Sequence, residues 1–307
     1  MAKMNTAKVL AYAKLNLTLD ICGTQNGYHM LDSLVVTVGL YDKIIVKKRK
    51  DNLVGITMHG MGSEEIPFEG NHAVRAAEAF VEKFRTAGAE ITVYKNIPMG
   101  AGLGGSSADA AGVLNALAKL YGVTDERAIG EIADALGSDT KYLLRGGFAR
   151  LQGRGERIER LGECPEMHFL LLCPKNGVST AECYKKYDAL QKTYEPRADR
   201  CLSAWKSMGM EAGAKLFGND LYEAAAAIEP DAEEALRTVK SFSPLGAAMT
   251  GSGSAAFALF PTRELAEWAK SRYRGKFRAY CADAAESVKK KKWRNPFVLD
   301  ADEIQTD

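Results

Sequence analysis

The chain has 307 residues, 46% hydrophobic and 26% charged, with 41 basic against 39 acidic side chains and a net charge of +2. That length suits two domains and a sizeable core. The near-even balance leaves no global electrostatic footprint for nucleic acid or a membrane surface. Six cysteines (Cys22, Cys164, Cys173, Cys183, Cys201 and Cys281) include no Cys-x-x-Cys pair, which speaks against a zinc site or disulfide framework and for reduced thiols. No long apolar stretch follows the first residues and no run approaches membrane-spanning length, so a soluble cytoplasmic protein is expected.

In chain order, residues 9–21 alternate as one long strand. Lys14, Asn16, Thr18 and Asp20 share a face that reads as solvated, and Ala13, Leu15, Leu17, Leu19 and Ile21 share the other. Asn26-Gly27 is a hairpin signal. Residues 34–38 and 43–47 read as two strands about a turn at Gly39-Leu40-Tyr41-Asp42. A helix over 72–85 is entered through Gly70-Asn71, and a strand over 90–94 and helices over 108–120 and 125–136 follow. A strand at 148–151 and a turn at 153–156 close a first domain, 1–160.

A second domain, 161–285, restarts with a strand at 167–173 and a helix capped by Ser179 or Thr180. Helical patterns recur at 198–208, 220–227 and 231–242. Strands at 246–250 and 255–260 flank a second glycine loop, and a helix at 263–273 and a strand at 277–281 complete an α+β pattern. The segment 286–307 holds Lys289-Lys290-Lys291-Lys292-Trp293-Arg294 and then a run of acids, and reads as a flexible charged tail.

The richest chemistry lies at Pro98-Met99-Gly100-Ala101-Gly102-Leu103-Gly104-Gly105-Ser106-Ser107, between a strand and an Ala-rich helix. Glycines let backbone approach a ligand closely. Serines at a helix start satisfy some orphan N–H groups, and the remaining N–H groups with the helix dipole favour an anion, naturally a phosphate chain. The loop lacks the Gly-Lys-Ser/Thr ending of a Walker-type loop and the downstream acid of a dinucleotide fingerprint.

Three motifs in order, Ala13-Lys14-Leu15-Asn16-Leu17, the glycine loop, and Met249-Thr250-Gly251-Ser252-Gly253-Ser254-Ala255, resemble those of the GHMP small-molecule kinases. Gly27-Tyr28-His29, Asn71, Gly137-Ser138-Asp139 and Gly177-Val178-Ser179-Thr180 resemble the branch acting on a CDP-linked methylerythritol; the likeness spans residues 8–285. It implies a two-domain GHMP fold, an N-terminal domain like ribosomal protein S5 domain 2 and a ferredoxin-like C-terminal α/β domain, with the active site in the cleft between them. It also implies ATP and Mg²⁺ as cofactors, a small-molecule substrate, no nucleic-acid or membrane partner, and a monomer or homodimer.

By the same resemblance, Asp139 matches the general base and Lys14 its electrostatic partner. Asn71, Lys95, Pro98, Gly100, Gly102, Leu103, Gly104, Gly105, Ser106 and Ser107 match the ATP site, with Ser106 or Ser107 near Mg²⁺. Asn16, Tyr28, His29, Thr180, Tyr184, Gly251, Ser252 and Gly253 match the acceptor site, Tyr184 stacking on cytosine. The chain departs from the pattern at Ser138, Thr140 and Lys141, where Gly-Ala-Asp-Val-Pro is usual, at His72, where a larger apolar residue is common, and at Asn26, where Asp is usual. Competing readings are a GHMP kinase for another alcohol, of sugar or homoserine type, and a non-catalytic nucleotide-binding protein of the same fold. A binding module has no need of Asp139, which favours catalysis.

Overall fold

The computed structural model describes residues 5–190, 193–285 and 298–299. The alternation of 9–21 forms two strands, not one: β1 (Thr6–Asn16) and β2 (Thr18–Gln25) divide at Leu17, and both run antiparallel to β3 (Tyr28–Lys48). The β2–β3 hairpin turns at Asn26 and Gly27, whose φ of 51° and 77° are those of a two-residue primed turn.

The turn expected at 39–42 does not form. β3 continues through it as 21 residues, and the register slips from Tyr12 opposite Tyr41 to Ala13 opposite Val38. This is a bulge: the extra residues bend the strand without ending it. The polar face of Lys14, Asn16, Thr18 and Asp20 is not solvated either; all four are buried, and Asn16 and Asp20 bond to Thr250 and Arg197, far along the chain.

β4 (Val54–Gly60), unmarked in the sequence reading, pairs parallel with β5 (Ala89–Lys95), and α1 (His72–Phe84) joins them. Asn71 caps α1, accepting from the N–H groups of Ala73 at 2.9 Å and Val74 at 3.4 Å. α2 (Gly105–Tyr121) packs on β1, β3 and α1. α3 (Glu126–Leu136), capped by Asp125, the one-turn α4 (Thr140–Leu143), β6 (Ala149–Gly153) and β7 (Arg157–Arg160) follow.

A second, antiparallel sheet has the order β10-β11-β8-β12, from β8 (His168–Cys173), β10 (Gly246–Met249), β11 (Ala256–Phe260) and β12 (Arg278–Asp283). β8 and β11 are buried on both faces. Leu170, Leu172, Ala256 and Ala258 pack under the helices α9 (Pro230–Lys240) and α10 (Arg263–Arg272), while Phe169, Leu171, Phe257 and Leu259 join the larger core.

Between β8 and β10 run α5 (Thr180–Asp188), α6 (Arg197–Met208), α7 (Met210–Ala214), β9 (Gly218–Asn219) and α8 (Tyr222–Ile228). β9 pairs parallel with β2, so the second half of the chain also contributes to the first sheet. There Arg197 bonds both Asp20 (2.5 Å) and Asp220 (3.0 Å). Of the C-terminal segment only β13 (Val298–Leu299) is described, paired with β1; Lys289 to Arg294 and the acidic end lie outside the described residues. No helix among the described residues is long and apolar enough to cross a membrane.

Candidate active site

The glycine loop leaves β5 over a buried ion cluster. Lys95 Nζ lies 2.5 Å from Asp42 Oδ2 and 2.7 Å from Asp109 Oδ2, and Asp42 Oδ1 accepts from the N–H groups of Asn96 (2.5 Å) and Ile97 (2.8 Å). Burial acts to lower Lys95, but the two carboxylates outweigh it and hold the ammonium above its ordinary value. Burial, with Asp42 beside it, pushes Asp109 up despite Lys95. Lys95 lines the cleft, yet its charge is spent as a strut under the loop.

The start of α2 differs from expectation in one respect. Its N-cap is Gly104, at φ 75°, with no side-chain cap, and Ser106 and Ser107 lie inside the first turn. No side chain competes for the first N–H groups, which strengthens the case for an anion there.

A second glycine loop holds the first in place. A Cβ on Gly102 would lie 2.1 Å from the Thr250 carbonyl oxygen, and one on Gly251 would lie 2.7 Å from that of Gly102. Ala255 N–H donates to the Ala101 carbonyl at 3.2 Å, and Val178 N–H to that of Gly100 at 3.2 Å. Leu103 turns its side chain into the core and offers its carbonyl to the N–H of Lys14 at 3.0 Å.

Lys14 Nζ donates to Asn16 Oδ1 at 2.5 Å and stands 3.5 Å from Asp139 Oδ2. Asp139 occupies the N-cap position of α4 but makes no capping bond, so its carboxylate faces Lys14. The neighbouring Lys141 turns away to Asp134 at 2.5 Å, leaving Lys14 as the cation at the carboxylate. Asn16 Oδ1 also accepts from Gly251 N–H at 3.0 Å, and its Nδ2 donates to Ser33 Oγ at 2.8 Å. Asn16 therefore ties the first motif to the third and has little left for a substrate.

At the other end, His29 stacks on Tyr184 with ring centroids 4.6 Å apart and 25° between planes, and its Nε2 bonds Asp188 Oδ1 at 2.6 Å. Tyr28 is 55% exposed, with the Arg154 guanidinium 4.7 Å over its ring. Thr180 Oγ1 meets Ser252 Oγ at 3.1 Å, joining α5 to the second loop.

One cleft of about 1160 Å³ collects all the residues matched to catalysis, the ATP site and the acceptor site except Gly253, which sits behind its loop against Met249 and Ala225. Sequence reasoning missed Asp42, Asp109, Arg154 and Asp188. Asp42 lies within β3, Asp109 in α2, Asp188 in α5 and Arg154 in a turn, and nothing local marks the partner of any of them.

The family model for the GHMP kinases N terminal domain matches residues 71–148, and that for the GHMP kinases C terminal domain matches 199–279. The chain is 37% identical over 268 residues to a 4-diphosphocytidyl-2-C-methyl-D-erythritol kinase of Pelotomaculum thermopropionicum, covering 86% of this chain and 93% of the relative. This chain belongs to the GHMP kinase family. A kinase of the same name from Desulfitobacterium hafniense is 37% identical over 269 residues, covering 86% of this chain and 90% of its own. A crystal structure of 4-(cytidine 5'-diphospho)-2C-methyl-D-erythritol kinase superposes with TM-score 0.74 at 30% identity, covering 90% of this chain and 98% of that one. As a GHMP kinase the chain uses ATP and acts on a small molecule, with the two-domain α/β fold of that family.

Proposed function

We propose that this GHMP kinase transfers the γ-phosphoryl group of ATP to a hydroxyl of 4-diphosphocytidyl-2-C-methyl-D-erythritol, within non-mevalonate isoprenoid precursor synthesis. The observation that carries the reading is one cleft holding the Lys14–Asp139 pair, an uncapped helix start and the His29–Tyr184 stack. The glycine loop and α2 start cradle the phosphates, and Asn71 stands at the nucleotide end. Tyr184, Tyr28 and His29 supply a π-face and polar edges for a cytosine, where stacking contributes about 1–3 kcal/mol.

In the reaction, Asp139 accepts the acceptor's hydroxyl proton as that oxygen bonds to the γ-phosphorus and the bond to the ADP oxygen breaks. Lys14 Nζ, 3.5 Å from Asp139 Oδ2, holds that carboxylate in place. Most of the acceleration comes from positioning and charge stabilisation by the loop amides. The hydroxyls of Ser106 and Ser107, in the cleft at the start of α2, fit a Mg²⁺ that takes one or two protein oxygens and otherwise phosphate and water. When bound, that ion neutralises phosphate charge. A cytoplasmic setting suits the six free thiols.

The test is purified protein with ATP, Mg²⁺ and a panel of alcohols including the CDP-linked methylerythritol, homoserine and sugars, followed by ADP release. Turnover on the CDP-linked substrate is expected. Turnover on another alcohol alone overturns the assignment.

A further inference from the structure

Gly137 closes α3 and leaves a gap where a side chain would stand. A Cβ there would lie 3.4 Å from Thr140 Oγ1, 3.6 Å from Ser107 Oγ and 3.9 Å from His72 Cε1. Thr140 is fully buried, and both its Oγ1 and His72 Nδ1 lack a hydrogen-bond partner among the described residues. Native proteins rarely leave such atoms unpaired, so these two need an explanation. Both belong to positions where the chain departs from the motif pattern noted above.

The three polar groups come from the first turns of three helices: His72 opens α1, Ser107 lies in the first turn of α2, and Thr140 opens α4. None of the three bonds directly to another among the described residues. Two hydroxyls and the Cε1 edge of the His72 ring, bonded to the unpaired Nδ1, gather around one small gap without bonding to each other, an arrangement that suits a single bridging water with two to four partners. His72, Ser107 and Gly137 line the cleft, whereas Thr140 stands behind them. Burial first, then the Arg75 guanidinium, push His72 below its ordinary value, so it is a neutral imidazole at neutral pH. The carboxylate of Asp139, adjacent to Thr140 in sequence, is engaged with Lys14 instead.

We propose that His72 and Thr140 are positioning residues for the phosphoryl donor: through one buried water they orient the Ser107 hydroxyl toward the cleft, where it meets an oxygen of the nucleotide's phosphate chain. The inference rests on reading the glycine loop as the ATP-phosphate site. It makes the nucleotide side of the cleft depend on two groups that never touch the ligand.

Steady-state kinetics on H72L, H72Q, T140V and T140S, with tripolyphosphate and adenosine as inhibitors competing with ATP, test it. H72L and T140V should each raise the ATP KM and the tripolyphosphate inhibition constant about three- to tenfold, the loss of one ordinary hydrogen bond. The acceptor KM and the adenosine inhibition constant should stay put, and T140S and H72Q should recover most of the loss. In an S107A background, H72L and T140V should add nothing further to the ATP KM. Additive effects there, a shift in adenosine inhibition, or lowered thermal stability with an unchanged ATP KM would each overturn the relay. If S107A itself leaves ATP and tripolyphosphate binding unchanged, the phosphate-site reading fails along with it; if S107A impairs them but H72L and T140V do not, only the relay fails.

Discussion

Gly102 and Gly251 lie where two backbones cross: a Cβ on Gly251 would stand 2.7 Å from the Gly102 carbonyl oxygen, and a Cβ on Gly102 would stand 2.1 Å from the carbonyl oxygen of Thr250, the residue before Gly251. Both have positive φ, 78° and 58°. The glycine loop of residues 98–107 is therefore held by the second glycine loop. Gly102→Ala should lower stability by at least about 1–2 kcal/mol from backbone strain alone, with the steric clash adding to it. Activity should fall further than unfolding explains, measured as kcat at a temperature where the variant stays folded. An unaffected kcat would mean that loop spacing does not set the geometry of transfer.

Asp139 carries its carboxylate free of any capping duty and 3.5 Å from Lys14. Asp139→Asn should reduce kcat by about 10²–10⁴-fold, the usual worth of a positioned base. ATP affinity, measured by calorimetry, should change little because the substitution keeps the size and shape of the side chain. Unimpaired turnover would remove Asp139 from the mechanism.

Lys95 is the sole cation bonded to Asp42 and Asp109 among the described contacts, and all three side chains are buried. Lys95→Met leaves two buried carboxylates uncompensated and should cost about 3–5 kcal/mol. Carboxyls whose folded pKa is raised hold protons that the unfolded chain releases, so native stability improves as pH falls. The deficit of the variant should therefore shrink between pH 7.5 and 5.5 in urea titrations. A constant deficit would show that the carboxylates find another partner.

Tyr184 stacks on His29, and burial pushes its hydroxyl well above the ordinary tyrosine range, so the ring is neutral at any working pH. Tyr184→Ala should raise KM for a CDP-linked acceptor and erase the preference for cytosine over other bases, while Tyr184→Phe should retain both. Equal acceptor affinity in all three forms would refute the stacking role.

Asp20, paired with Arg197 where β9 and α6 meet β2, is pushed up from 3.8 to about 6, mainly by burial, against the Ala198 N–H and the Arg197 guanidinium. Between about pH 4 and 6 the native state holds a proton that the unfolded chain has lost. Stability from this group therefore falls as pH rises through that window and is level above it. Asp20→Asn should remove that slope from the difference between the two proteins' unfolding free energies. A slope that persists in the variant assigns it to another carboxyl.

What the sequence by itself determined was local. The strand–loop–helix around residues 98–107, the Asn26-Gly27 hairpin, the Asn71 cap and the C-terminal strand pair each declare themselves within a few residues. Periodicity, turn chemistry and capping act between neighbours along the chain. The motif order was enough to indicate the family.

Tertiary structure decided the rest. The face of Lys14, Asn16, Thr18 and Asp20 reads as solvated because alternation reports only that one side is polar. It is buried because Asn16 meets Thr250, 234 positions away, and Asp20 meets Arg197, 177 positions away. The same distance hides why 39–42 is a bulge and not a turn, why Lys95 is a strut, and why Gly102 must be glycine. Hydrogen bonds and close contacts across such separations leave no trace in local pattern, since the residue types that make them are also those of ordinary surface and turns. The glycine loop could be recognised from its own residues, but its shape depends on the segments that the fold presses against it.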